Sequence, residues 1–160
     1  MYAGFVLVAY EIVKSMIVEP IKLFYADMTF GSGVPFKSYD EDVRFRHANE
    51  FEACLLYLKD FMEAIDSEDL STIQALRKHR NEIAHDLTSR INQLKIEDHE
   101  PLFEKVNQTL FKLSNYRAYV EFGADPDFSE INWSRAAGHE YALFEEIVAN
   151  IKLLALKQLP

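Results

Sequence analysis

The chain has 160 residues, 49% of them apolar and 27% charged, a balance that fits one folded domain over residues 1–160 and excludes a disordered tail. A net charge of −9 excludes binding of long nucleic acid by overall attraction, so any such contact must rest on a local basic patch. The single cysteine, Cys54, excludes an intrachain disulfide and a cysteine zinc site; set among Ala53, Leu55 and Leu56, it reads as a small buried hydrophobe in a reducing, cytoplasmic compartment.

Residues 3–10 are apolar, but no basic residue precedes them, and Glu11 and Lys14 follow at once. This is the pattern of a buried helix, not of an export signal. No stretch reaches the roughly 18 uninterrupted apolar residues of a membrane span. A first helix is predicted over about 2–28, with Phe5, Val8, Ile12, Met16, Ile21 and Phe24 inward and Val6, Val13 and Ile17 widening the stripe. Pro20 is expected to kink or divide it. The glycine- and proline-rich stretch 31–35 breaks the chain.

A second helix is predicted over 42–65, with Phe51, Leu55, Leu58, Met62 and Ile65 inward. Residues 66–69 form a turn rich in N-cap residues. The third helix, over 69–94, turns Leu70, Ile73, Leu76, Ile83, Leu87 and Ile91 inward, and its stripe is interrupted at Arg80. Residues 97–101 close that region, and Pro101 suits the first turn of the next helix. A fourth helix over 102–120 buries Phe103, Val106, Leu110, Leu113 and either Tyr116 or Arg117. After a loop at 123–127, a last helix over 134–157 buries Phe144, Ile147, Ile151 and Leu154. No segment alternates with period two. The expected fold is all-α, an up-and-down bundle of about five helices.

The chemically pointed residues lie on the third helix. Arg77, Lys78, His79 and Arg80 are consecutive, and as charge alone they read as a solvated helix face. Asn81 and His85 stand four apart and share a face, while Arg80 lies about 140° around the helix from His85 and reaches that face only by leaning its long stem. Arginine offers a fork of donors matched to phosphate, histidine exchanges protons near neutral pH, and asparagine orients either one. Together they suit a phosphodiester transition state without a metal or cofactor, with the ribose 2′-hydroxyl of RNA as nucleophile. A single histidine cannot be acid and base at the same moment; a second copy across a two-fold axis supplies the other.

At Arg80-Asn81-Glu82-Ile83-Ala84-His85 the chain resembles HEPN domains, the higher eukaryotes and prokaryotes nucleotide-binding superfamily, in its Arg-x(4–6)-His motif and in the polar residue after the arginine. The resemblance implies a helical bundle that dimerises and acts as a metal-independent endoribonuclease of the toxin, phage-defence or RNA-processing kind, with Arg80, Asn81 and His85 as its site. It also implies RNA as substrate and an antitoxin or regulatory protein as partner. Arg77, Lys78 and His79 are the adjoining candidates for RNA contact, although His79 by itself reads as solvated surface. Leu87 stands where one toxin subfamily has a tyrosine, so regulation by nucleotide transfer to that position is not carried over.

Other residues have simpler explanations. Glu82 pairs with Lys78 one turn earlier. Asp98-His99-Glu100 caps a helix rather than holding a metal. Arg44, Arg46 and His47 are a weaker basic cluster that lines the same cleft only if the second helix packs beside the third, and Arg135 with His139, four apart on the last helix, are weaker candidates for a second anion site. Trp133 and the phenylalanines belong to the core, and Glu145-Glu146 to a solvated face. Two further functions stay open: a non-catalytic nucleotide- or RNA-binding module, and an interaction bundle with His85 buried in packing.

Overall fold

The computed structural model describes residues 2–27, 38–85 and 100–158. Among them all regular structure is helical. In chain order there are α1 (Tyr2–Asp27), the single turn α2 (Tyr39–Asp42), a 3-10 turn (Arg44–Arg46), α3 (Glu50–Asp60) and α4 (Ser67–His85). Then come α5 (Glu100–Phe122), two 3-10 turns (Pro126–Phe128 and Trp133–Arg135) and α6 (His139–Gln158). None of these helices is long and apolar enough to cross a membrane. The stretch 31–35, residues 97–99, and Leu87 and Ile91 lie outside the described residues.

Helix α1 runs through the centre, packed on α3, α4 and α6. Its inward line differs from the expected one. Val6, Val13 and Ile17 are fully or almost fully buried, whereas Val8 is 52% exposed and Phe24 also faces outward. Residues 3–10 are apolar on every side, so periodicity alone could not choose the inner face there.

The expected second helix over 42–65 is instead three pieces. Asn49 opens α3 by accepting a hydrogen bond on its side-chain oxygen from the Glu52 N–H at 3.2 Å, which separates α3 from α2 and the 3-10 turn. The α3 stripe holds: Phe51, Leu55 and Leu58 are buried, with Cys54 among them. Burial pushes the Cys54 thiol up, which suits an inert core residue. Beyond α3, Glu63 takes a left-handed conformation (φ 52°) and the Ala64 N–H turns back to the Leu58 carbonyl at 2.9 Å, which ends the helix before Ile65.

Asp66 sets the start of α4. Its Oδ1 accepts from the Glu68 and Asp69 N–H groups at 2.8 and 2.9 Å, while Asp69 Oδ2 accepts from the Asp66 N–H at 3.0 Å. This reciprocal cap is tied to α5: Lys112 Nζ donates to Asp66 and Asp69 at 2.8 and 2.6 Å, and Thr109 Oγ1 donates to Asp69 at 3.0 Å. The order of these pairs makes α4 and α5 antiparallel.

Helix α6 also runs antiparallel to α5, with the Tyr141 ring on Phe111 and Lys152 on Glu104. Between α5 and α6 the chain makes the two 3-10 turns. Gly123 turns it off α5, where a Cβ would lie 2.5 Å from the Tyr119 carbonyl oxygen. Asn115 Nδ2 then donates to the carbonyls of Trp133 and Ala136 and pins the excursion down. Because Asn132 caps the 3-10 turn, α6 begins at His139 rather than at 134. Trp133 is only half-buried, and Phe45 (68% exposed) and Phe61 (60%) point outward, so the aromatic residues are not all core.

Pro20 lies inside α1 without dividing it. A proline has no N–H, so the carbonyl four residues back, that of Met16, loses its helical donor. Arg117 Nη1 supplies one from α5 at 3.1 Å.

Two outcomes follow from these contacts. Arg117→Met leaves the Met16 carbonyl without that donor and lowers unfolding free energy by about 1–3 kcal/mol. In a Pro20→Ala background, where the ladder regains its N–H, the same change costs less; additive losses in urea denaturation would refute the pairing. The Asp66 carboxyl is held down at about 2, first by the Lys112 ammonium and then by the Asp69 N–H. Its folded value lies below the unfolded one, so its contribution is present above about pH 4 and is lost as pH falls toward about 2. In an NMR titration, Lys112→Met moves the Asp66 inflection up toward the ordinary aspartate range; an unmoved inflection would assign the depression to the cap alone.

Candidate functional site

The last turns of α4 present three faces. Thr72, Leu76, His79 and Ile83, spaced four-three-four, are buried. His79 therefore belongs to the packed side of α4. The expectation that it lies on a solvated face is corrected, and it does not line the groove that Lys78 and His85 share. The physical reason is phase: His79 stands three residues after Leu76 and four before Ile83, in the middle of the apolar stripe.

A second face carries Gln74, Lys78, Asn81 and His85, again spaced four-three-four. With Arg77, Glu82 and Glu52 of α3 they line an open groove of about 480 Å³. Lys78, Glu82 and His85 are exposed, and Asn81 is half-buried. Glu52 forms the wall toward α3. Although it stands among apolar neighbours it is buried, and both its oxygens are engaged: Arg77 Nη1 donates to Oε1 at 2.5 Å and Gln74 Nε2 to Oε2 at 2.9 Å. The Arg77 charge is thus neutralised within the groove wall, and Lys78 is the groove cation left pointing to solvent.

Arg80 occupies the third face, toward α1. It is not among the groove residues. Its guanidinium lies over the Tyr10 ring at 5.3 Å, and its Nη2 stands 3.6 Å from a Glu11 carboxylate that is more than half exposed. Burial raises the Tyr10 hydroxyl above its usual range, while Arg77 and Arg80 pull it the other way. Arg80 Nε is buried with no hydrogen-bond partner among the described residues. The link to the groove is Nη1, which donates to Asn81 Oδ1 at 3.2 Å. The fold therefore places Asn81 and His85 in one groove, and Arg80 touches that groove through its hydrogen bond to Asn81.

Sequence reasoning did not include Gln74 or Glu52. Gln74 was legible, since it extends the spacing of Lys78, Asn81 and His85 by one turn. Glu52 was not, because only the packing of α3 on α4 brings it there. The weaker clusters do not join the groove. Arg46 donates from Nε to the Asp42 carbonyl at 2.7 Å and lies over the Phe45 and Tyr57 rings. Arg135 sits in a 3-10 turn while His139 opens α6, so the two do not share a helix face as expected. Glu145 and Glu146 are exposed, as expected, and Tyr141 donates to Glu145 at 3.0 Å.

Compared with protein-family models, curated proteins and solved structures, the chain matches none.

The Glu52–Arg77 pair is unequally buried, with side chains 10% and 30% exposed respectively. Arg77→Ala strands the more buried carboxylate and is expected to cost about 1–3 kcal/mol. Glu52→Gln leaves a neutral acceptor facing an arginine that reaches water, and costs less. Urea denaturation of the two variants decides it: equal or reversed losses would show that the pair does not relieve burial of Glu52.

Proposed function

We propose that the chain is a HEPN-like, metal-independent endoribonuclease of the toxin or phage-defence kind, active as a homodimer. The observation that carries this reading is the contact between Arg80 and Asn81 at the edge of the groove that His85 shares. It sets an arginine with a buried Nε that has no partner among the described residues against an asparagine that lines the same groove as the exposed His85. In the mechanism, His85 of one copy takes the proton of the RNA 2′-hydroxyl. The 2′-oxygen attacks phosphorus, and His85 of the second copy gives a proton to the departing 5′-oxygen. Arg80 offsets the charge that develops on the phosphoryl oxygens. The products are a 2′,3′-cyclic phosphate and a free 5′-hydroxyl. Lys78 holds the strand by its phosphates. An antitoxin or regulatory protein that covers the groove would silence this site.

A second reading, a non-cutting nucleotide- or RNA-binding or protein-interaction module of the same fold, is favoured by one specific feature. Arg80 faces Glu11 and Tyr10 rather than the groove, and Arg77 is neutralised by Glu52.

The deciding experiment incubates wild type, His85→Ala and Arg80→Lys with single-stranded and structured RNA in EDTA and reads the 3′ ends. Wild type is expected to leave cyclic phosphate. His85→Ala, at an exposed position, should keep its helical circular dichroism and lose on the order of 10²-fold or more in rate. Arg80→Lys keeps the charge but not the fork and should also lose most activity. Full activity in either variant would sink the mechanism, whereas RNA binding without cleavage by wild type would favour the second reading. Lys78→Glu should weaken RNA binding and make it less dependent on salt.

A further inference from the structure

A second site lies away from the groove, where Pro20 interrupts α1. There residues of α1, α3 and α5, with Met62 just beyond α3, line a half-open cavity of about 120 Å³. It shares no lining residue with the groove. Its walls are apolar, with Ile17 and Ile21 from α1, Leu58 from α3 and Leu113 from α5. Arg117 is the one charged residue among the described residues that line it.

The volume limits the occupant. It is far below the several hundred Å³ of a typical cofactor pocket, yet close to that of apolar cavities that accept a benzene ring. The polar requirement comes from Arg117. Its Nη1 is anchored on the Met16 carbonyl, so the guanidinium is held in place at the cavity wall instead of sweeping through solvent. The facing carboxylate, Glu140, is 3.6 Å away and 53% exposed, a weak and displaceable counter-charge. Burial pulls the arginine's pKa below its usual value even with Glu140 and Glu121 acting against it, which marks a cation incompletely compensated by its surroundings.

We infer that this cavity binds a small amphipathic carboxylate, with a ring or branched chain packed against Ile17, Ile21, Leu58 and Leu113 and the carboxylate paired with Arg117 in place of Glu140. A neutral molecule of the same shape gains only the apolar contact. An amine of that shape meets a fixed like charge.

The test is a titration of the full chain with benzoate, benzyl alcohol and benzylamine at one ionic strength, followed by methyl NMR. Benzoate is expected to saturate the Ile17, Ile21, Leu58 and Leu113 methyls with affinity on the order of tenfold above that of benzyl alcohol, with benzylamine weakest. Glu140→Gln, an exposed change, should tighten benzoate and leave benzyl alcohol unmoved. Ile21→Trp, which fills the cavity, should abolish both. Arg117→Met, made in the Pro20→Ala background so that Met16 keeps a donor, should bring benzoate down to the level of the alcohol. Equal affinities for benzoate and benzyl alcohol, binding by neither, or benzoate binding that survives both Arg117→Met and Ile21→Trp would each overturn the assignment. The RNA-cleavage assay does not enter this test, so either reading can fail alone.

Discussion

The rotation of α4 about its own axis is the constraint on which the site depends. Two sets of contacts set it. Along the helix, Thr72, Leu76, His79 and Ile83 are driven into the interior. At its start, Asp66 and Asp69 are held by Lys112 and Thr109 of α5. A turn of α4 by one residue position, about 100°, would bury Lys78 or Glu82 and strand the lock. With the phase fixed, Lys78, Asn81 and His85 can only face the groove, and Arg80 can only lie at the boundary with α1. The divided placement of the arginine and the histidine is thus a consequence of how the helix packs, not of side-chain choice.

Helix α1 is subject to a different kind of constraint. It is apolar enough to be surrounded on most sides, yet it carries a proline within its length. The loss of one backbone donor would leave a bare carbonyl in the interior, and Arg117 meets that need from a distant part of the chain. The same arginine lines the cavity between α1, α3 and α5. One backbone defect thereby places a cation, a carbonyl and an apolar hollow side by side.

Much of this architecture was legible in the chain. Ile73, Leu76 and Ile83 of α4, Phe103, Val106, Leu110 and Leu113 of α5, and Cys54 are buried as spacing and residue type put them, and the turn at 66–69 supplies the cap through Asp66. The failures have distinct physical causes. Phase could not be read at the start of α1 because residues 3–10 carry no charged residue to mark the outside, which Glu11, Lys14, Ser15 and Glu19 do further on. The helix expected over 42–65 was split at Asn49, whose side chain caps α3 just where the apolar stripe begins at Phe51. His79 was misplaced because it stands in the polar run Arg77–Arg80, although its position between Leu76 and Ile83 puts it in the apolar stripe. At the site, the shared face of Asn81 and His85 was readable from a four-residue spacing. The Glu52–Arg77–Gln74 wall was not, because it joins residues more than twenty positions apart through packing alone.

The excursion between α5 and α6 has an optical consequence. Trp133 is the sole tryptophan, and it meets Tyr119 edge-on at 5.6 Å on a segment held to α5 by Asn115. Indole emission from this protein therefore originates beside the C-terminal half of α5, at Tyr119 and Asn115. His85 lies at the far end of α4, a helix about 28 Å long. Ultraviolet-excited emission is in effect a local gauge of whether the excursion stays attached, and it is nearly blind to events at the groove mouth.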